Sequence, residues 1–336
     1  MNLPNIEVEK SKIPIVWLDT SVIINITIFK ENPNKLQEPQ RSRIELLYKL
    51  VLEYSQAGKI ICPLADQEGE VWINRKEWMN TIRELSLGIE CLSLKEIQDK
   101  QLHKAMNSYF LKEESIVLSY LDAFDSDPAE EMRDVLREGM FLTIESDIFL
   151  GADFRRETND TTLKLLNEQR EKNVALGINF ETQFLSEVDG EIKEIIKMAH
   201  ELQNGEAGNE REAFNKLGAS INLHQQLHAW EHITGQKNDI DGLISFYSSS
   251  YNINCPYVDL SCSLTAKIMI DPQPIKSSDP IDINHISTLM PFSDLFITDK
   301  PWRTYINNRG YDKKYGTNVH YIGDTDAINK FFEGIE

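Results

Sequence analysis

Two acidic residues stand directly beyond short apolar runs: Val16-Trp17-Leu18 leads into Asp19, and Leu295-Phe296-Ile297-Thr298 leads into Asp299. Such runs, rich in β-branched and aromatic residues and too short for helices, read as buried strands of a parallel sheet. Ligands of open parallel sheets bind beyond the carboxyl ends of the strands, so both carboxylates are expected at one edge. Two more acids fit the same volume. Glu68 follows a second apolar run, Lys59-Ile60-Ile61-Cys62, by about one and a half helical turns, and Asp282 lies near the start of the helix leading into the Asp299 strand. Four carboxylates cannot persist uncompensated, because like charges a few ångströms apart raise one another's pKa unless a cation intervenes. Hard oxygen ligands with no Cys or His in the set point to Mg²⁺ or Mn²⁺. A pair of such ions clamps the attacking and leaving oxygens of an in-line displacement, so the predicted chemistry is phosphodiester hydrolysis. Taken singly, each Asp also suits a helix N-cap or a turn. Their recurrence at consistent positions favours a site.

The elements that must position these acids follow an interrupted α/β pattern. A strand over Ile13 to Leu18 is followed by a loop at Asn32 to Pro39 and a helix over Arg41 to Tyr54, with Ile44, Leu47, Tyr48 and Val51 at helical spacing. The strand Lys59 to Cys62 comes next, and Pro63 suits the first position of a following helix. The alternation stops near Trp72. From Arg75 to about Asn252 the pattern is helical, with breaks at Asp125 to Pro128, Gly151, Asn204 to Gly208 and Gly235 to Asn238. It resumes with helices over Pro256 to Met269 and Asp282 to Met290, the strand Leu295 to Thr298, a helix over Trp302 to Asn307, a strand over Val319 to Ile322 and a closing helix over Asp326 to Phe332. Residues 1–74 and 256–336 are therefore expected to build one parallel-sheet domain, with an all-helical domain, 75–255, set into it.

With the motifs in view, the chain resembles the PIN-like nucleases of the PIN/FEN superfamily. Val16-Trp17-Leu18-Asp19-Thr20-Ser21 looks like their opening strand, an apolar run into an Asp followed by a small hydroxyl residue, and Phe296-Ile297-Thr298-Asp299 looks like their last acidic strand. Asp282-Ile283-Asn284-His285, followed by Met290-Pro291-Phe292-Ser293-Asp294, is similar to a PIN-like subgroup. The resemblance covers residues 1–74 and 256–336. It implies a three-layer α/β/α parallel-sheet fold, a Mg²⁺ or Mn²⁺ cofactor and endonuclease activity, with single-stranded RNA ahead of DNA as substrate. Residue by residue, it implies Asp19, Glu68, Asp282 and Asp299 as metal-binding catalytic acids, with Glu70 the rival of Glu68. Thr20 or Ser21 supports the metal shell, and Thr298 precedes the last acid. The alternative implied function is a PIN-like scaffold without catalysis that acts through its helical domain. A protein regulator or a second copy of the chain is the further class of partner.

Basic residues gather after Asp299. Lys300, Arg303, Arg309, Lys313 and Lys314 alternate with Trp302, Tyr305, Tyr311 and Tyr315, a mixture able to hold phosphates and stack on unpaired bases. His224, His228 and His232 share one helical face, either as a metal stripe or as the polar end of a packing face. The metal motif would also want an acid directly after the first His, and Gln225 stands there.

Composition bounds these readings. The chain has 336 residues, 35 Lys+Arg against 54 Asp+Glu and a net charge of −19, which excludes broad non-specific clamping of duplex DNA by a basic surface. Four cysteines without a CxxC pair argue against a disulfide framework and a zinc ribbon. No run of 18 apolar residues occurs, so no membrane association is expected, and the expected compartment is the cytoplasm. GxSxG, P-loop and GxGxxG motifs are absent from the sequence.

Overall fold

Ile15 to Leu18 are four consecutive buried residues, as a strand covered on both faces requires. The computed structural model describes residues 4–65, 67, 75–138, 152–204 and 223–335. After β1 (Asn5–Glu9), these residues place β2 (Val16–Leu18) at the centre of a small parallel sheet. β2 pairs with β4 (Leu295–Ile297), Leu18 opposite Ile297, and β4 pairs with β5 (Asn318–His320), Ile297 opposite His320. On the other side of β2, parallel bridges join Ile15 to Ile61 and Leu64 to Glu90. Numbered along the chain, these five extended segments lie in the order 3-2-1-4-5. The order therefore reverses between β2 and β4.

The chain divides into two compact units. The first comprises Glu7–Ile97, Leu118–Ser146 and Leu289–Glu336 and carries the sheet. Val16, Leu18, Leu295 and Ile297 turn one face of the sheet toward a core that includes Ile23 and Ile26 of α1 (Thr20–Glu31), Leu47 and Val51 of α2 (Gln40–Gln56) and Trp78 and Ile82 of α3 (Arg75–Ser86). Trp17 and Phe296 alternate to the opposite face, where their rings stack with centroids 6.2 Å apart. The second unit comprises Met1–Ile6, Gln98–Val117 and Asp147–Thr288. It holds most of α4 (Leu94–Leu111), then α6 (Ala152–Ala175), α7 (Phe180–Asn204), α8 (223–234), α9 (Ile240–Tyr247), α10 (Ser250–Asn254), α11 (Pro256–Met269) and nearly all of α12 (Asp279–Leu289). Within it, buried Arg170 ties α6 to the end of α11 by donating to the carbonyls of Asp271 and Pro272, both at 3.0 Å.

Several local expectations are corrected. No helix is expected between Asp19 and the loop at Asn32, yet Thr20–Glu31 is one, because the Asp19 carboxylate caps it by accepting from the Ser21 N–H at 2.9 Å. Pro63 does not open a helix: Leu64 stays extended, donating to Ile89 O at 3.0 Å and accepting from Cys91 N at 2.7 Å. The sheet-bearing unit therefore runs on through α3 and Glu90 to Ile97 rather than ending at residue 74, and residues 256–288 fall in the other unit. The stretch 75–255 is not all helical. β3 (Ser115–Ser119) pairs with β1, and its burial alternates through Ile116, Val117 and Leu118. α5 (Pro128–Glu138) follows it.

At the amino ends of the strands a half-buried lysine ties loops together. Lys10 Nζ donates to the carbonyls of Pro291 (2.9 Å) and Ser293 (2.6 Å) and to Thr317 Oγ1 (3.4 Å), while Asp294 Oδ2 accepts from Ile15 N at 2.8 Å. Burial lowers the Lys10 pKa to about 8, against the opposing pull of Asp294. The folded state then sheds this proton before the unfolded chain does, so between about pH 8 and 10.5 this group makes stability rise with pH. Lys10→Met is expected to remove that contribution. Urea unfolding of both proteins above and below pH 8 checks it, and identical pH trends would contradict it.

Candidate active site at the sheet edge

Asp19 follows the last residue of β2, and Asp299 follows Thr298 at the end of β4. The two strands are adjacent and parallel, so the acids leave the same edge, at the position where strand order reverses. That reversal is where open α/β sheets place their ligands, because the connections diverge and leave a crevice. The Asp19 N–H is held by Ile297 O at 2.9 Å, which sets the residue against the end of β4.

The side-chain environment of Asp19 is built from the residues named beside it in sequence. Oδ1 accepts from Ser21 N, and Oδ2 accepts from Thr298 Oγ1 at 3.2 Å. Its pKa is nevertheless raised. Burial contributes most, and the Asp299 carboxylate adds to it, against the opposing hydrogen bonds of Ser21 and Thr298. Asp299 is exposed and begins α13 (Lys300–Arg309) without a side-chain capping bond. Its oxygens are therefore not committed to the helix. Thr20, the first residue of α1, is buried, and its Oγ1 has no hydrogen-bond partner.

Of the four expected acids, Asp19 and Asp299 come together. Glu68 and its rival Glu70 lie outside the described residues. Asp282 occupies the first turn of α12 in the helical unit, and His285 one turn later is buried, its pKa lowered to about 4 by loss of water. Among the described residues no three His, Cys, Asp or Glu side chains form a group able to hold a metal. The donor chemistry at Asp19 and Asp299 still suits a hard divalent cation: two carboxylate groups, a mutual repulsion that raises one pKa, and a buried hydroxyl without a partner.

The basic patch is more occupied than its composition implies. Arg303 pairs with Asp324 at 2.7 Å, and Asp324 also meets His320 Nδ1 at 3.4 Å. Burial lowers the His320 pKa, with Asp324 opposing. Lys300 and Arg303 both lie over the Tyr321 ring, at 5.7 and 5.8 Å. Arg309 covers Tyr305, and Lys314 covers Tyr315 in α14 (Tyr311–Tyr315), which Gly310 joins to α13 with a φ of 76°. Lys313 is exposed.

His224, His228 and His232 are an exposed stripe of α8. The packing face carries Leu223, Gln226 and Trp230 instead, so these histidines are not the polar end of that face. The four cysteines form no disulfide, and burial pushes the Cys62 thiol up to about 12, which leaves it unreactive. Among the described residues no helix is long and apolar enough to cross a membrane. Sequence reasoning overlooked Lys10 and placed Asp294 only within a motif; the roles of both depend on partners about 280 residues away. No family model matches this chain, and neither a curated protein nor a solved structure matches it.

Proposed function

We propose that this chain is a divalent-metal-dependent endonuclease with a PIN-like, three-layer sheet domain, acting on single-stranded RNA ahead of DNA. One observation carries the reading: Asp19 and Asp299 leave adjacent parallel strands at the reversal of strand order, close enough that the charge of one raises the pKa of the other. Asp19 and Asp299 would hold Mg²⁺ or Mn²⁺, with Glu68 proposed as a further acid of the set. Once bound, the ion supplies Lewis-acid stabilisation of charge developing on the phosphodiester oxygens.

The chain's own groups then do three things. Thr298 and the Ser21 N–H fix the Asp19 carboxylate so that it does not turn away from the edge. The Thr20 hydroxyl, buried beside Asp19, supports the shell. Lys300 and Lys313 meet the phosphates, while Arg303, already paired with Asp324, holds the Tyr321 ring in place for stacking. The helical unit is proposed to receive a regulatory partner. Stripping the protein of metal, adding back Mn²⁺ and presenting labelled single-stranded RNA and DNA tests the reading. Metal-dependent cleavage supports it. Tight Mn²⁺ binding without cleavage of either substrate would make the chain a scaffold.

Substrate binding by an acidic protein must rest on local positive charge. Reversing Lys300 and Lys313 to Glu is expected to weaken binding of single-stranded RNA and flatten its salt dependence, by a slope of about 0.7 for each phosphate no longer neutralised. Fluorescence anisotropy across a salt series measures this, and an unchanged slope would move the entry route elsewhere.

A further inference from the structure

The parallel ladder between β2 and the extended segment at 60–65 is interrupted at the edge that carries Asp19, and a side chain completes it. The pairing is regular at Ile61, whose N–H donates to Pro14 O at 2.9 Å and whose carbonyl accepts from Val16 N at 2.8 Å. Alternate residues face the same neighbour, so the next donors toward β2 belong to residues 63 and 65. Residue 63 is proline and has no N–H to give. The following rung would join the Ala65 N–H to the Leu18 carbonyl. In its place stands the Gln67 carboxamide: Nε2 donates to Leu18 O at 2.7 Å, and Oε1 accepts from Ala65 N at 3.4 Å. A carboxamide carries the donor and acceptor of a peptide group, so it acts as one inserted peptide unit between two backbone groups that would otherwise pair.

Gln67 is 0 % exposed. An apolar side chain would fill this space without desolvating an amide, a cost that only satisfied hydrogen bonds offset. What the amide adds is a hold on one particular peptide bond. The Leu18 carbonyl and the Asp19 N–H belong to the same peptide unit. Gln67 grips that unit by its oxygen, and Ile297 O grips it by its nitrogen.

We propose that Gln67 is a positioning residue: its carboxamide replaces the missing rung and clamps the Leu18–Asp19 peptide, so that the Asp19 carboxylate is held beside Asp299. This inference rests on the reading of Asp19 and Asp299 as the metal site. Gln67→Met keeps length and burial but removes both hydrogen bonds.

Two measurements on the full chain decide it: calorimetric titration with Mn²⁺ alone, and hydrogen exchange of the Asp19 N–H relative to that of Val16 without metal. Gln67→Met is expected to weaken Mn²⁺ binding about 10- to 100-fold, the usual cost of losing a group that orients a ligand. It should also speed exchange of the Asp19 N–H relative to that of Val16, as the loosened peptide opens locally. A merely structural role would lower the melting temperature and move neither. Wild-type Mn²⁺ affinity together with an unchanged relative exchange of Asp19 in the variant overturns the proposal. If the wild type binds no Mn²⁺, the metal reading fails and the relative exchange of the Asp19 N–H alone decides the positioning role. If Gln67→Met does not fold, exchange of the Gln67 side-chain amide protons in the wild type decides: slow exchange supports the clamp, and exchange at the rate of a free amide overturns it.

Discussion

Asp19→Asn is expected to reduce metal-dependent cleavage by at least about 100-fold, because losing the charge that helps to hold the cation forfeits several kcal/mol of transition-state stabilisation. The same variant should be more stable than the wild type in EDTA at neutral pH. The Asp19 pKa is raised in the folded protein, first by burial and then by Asp299. A carboxyl group of this kind binds its proton more tightly when folded, so stability falls as the pH rises from the ordinary carboxylate range through its raised native pKa, and the loss is complete above it. Asparagine carries no such charge and still caps α1, since its side-chain oxygen can accept from Ser21 N. The stability advantage should vanish at pH values below the ordinary carboxylate range, where both proteins are uncharged at this position. Mn²⁺ should then stabilise the wild type by about 2.7 kcal/mol at one hundred times its dissociation constant, and the variant by less. Thermal unfolding in EDTA and in Mn²⁺ across pH checks both parts. A variant less stable than the wild type in EDTA at neutral pH would contradict them.

Trp78→Ala is expected to destabilise the sheet-bearing unit by about 3–5 kcal/mol, a large share of the 5–15 kcal/mol typical of a whole domain. Trp78 is 1 % exposed and packs in the same core as Val16, Leu18 and Ile297. Truncation leaves a cavity in the core that α3 shares with β2, β4, α1 and α2. The indole Nε1 is buried without a hydrogen-bond partner, so Trp78→Phe removes an unsatisfied donor and should cost far less. Urea unfolding monitored by circular dichroism measures both. Wild-type stability of Trp78→Ala would mean that α3 does not belong to the sheet unit.

That α3 lies in the sheet unit is not legible from its sequence. Arg75 to Ser86 is an amphipathic helix by pattern, and pattern alone does not say which core receives its apolar face. The extended residues around Glu90 are equally hidden, because their pairing is a single bridge to Leu64 with no apolar run to announce it. By contrast, β2 and β4 are legible, since a strand buried on both faces must be apolar throughout, as Val16 to Leu18 and Leu295 to Ile297 are. Asp19, Thr298 and Asp299 are legible because they stand at the ends of such runs. α1 is hidden because its β-branched residues imitate a strand, and the Asp that ends a strand is here also the cap that starts a helix. Gln67 carries no compositional signal. Counting ladder rungs onward from Ile61 past Pro63 shows that Ala65 and Leu18 are due to pair, but not that a side chain stands between them. The basic residues after Asp299 are evident from composition, whereas the pairing of Arg303 with Asp324 depends on the end of β5.

The Mn²⁺ binding isotherm of the metal-stripped protein, taken side by side with those of Asp19→Asn and Asp299→Asn, bears most directly on the proposed site. Two carboxylates that share one cation predict saturable binding in the wild type and a loss of at least about tenfold in affinity in each variant, with all three proteins folded. Equal Mn²⁺ affinity in the wild type and both variants would contradict a metal centre at this edge of the sheet.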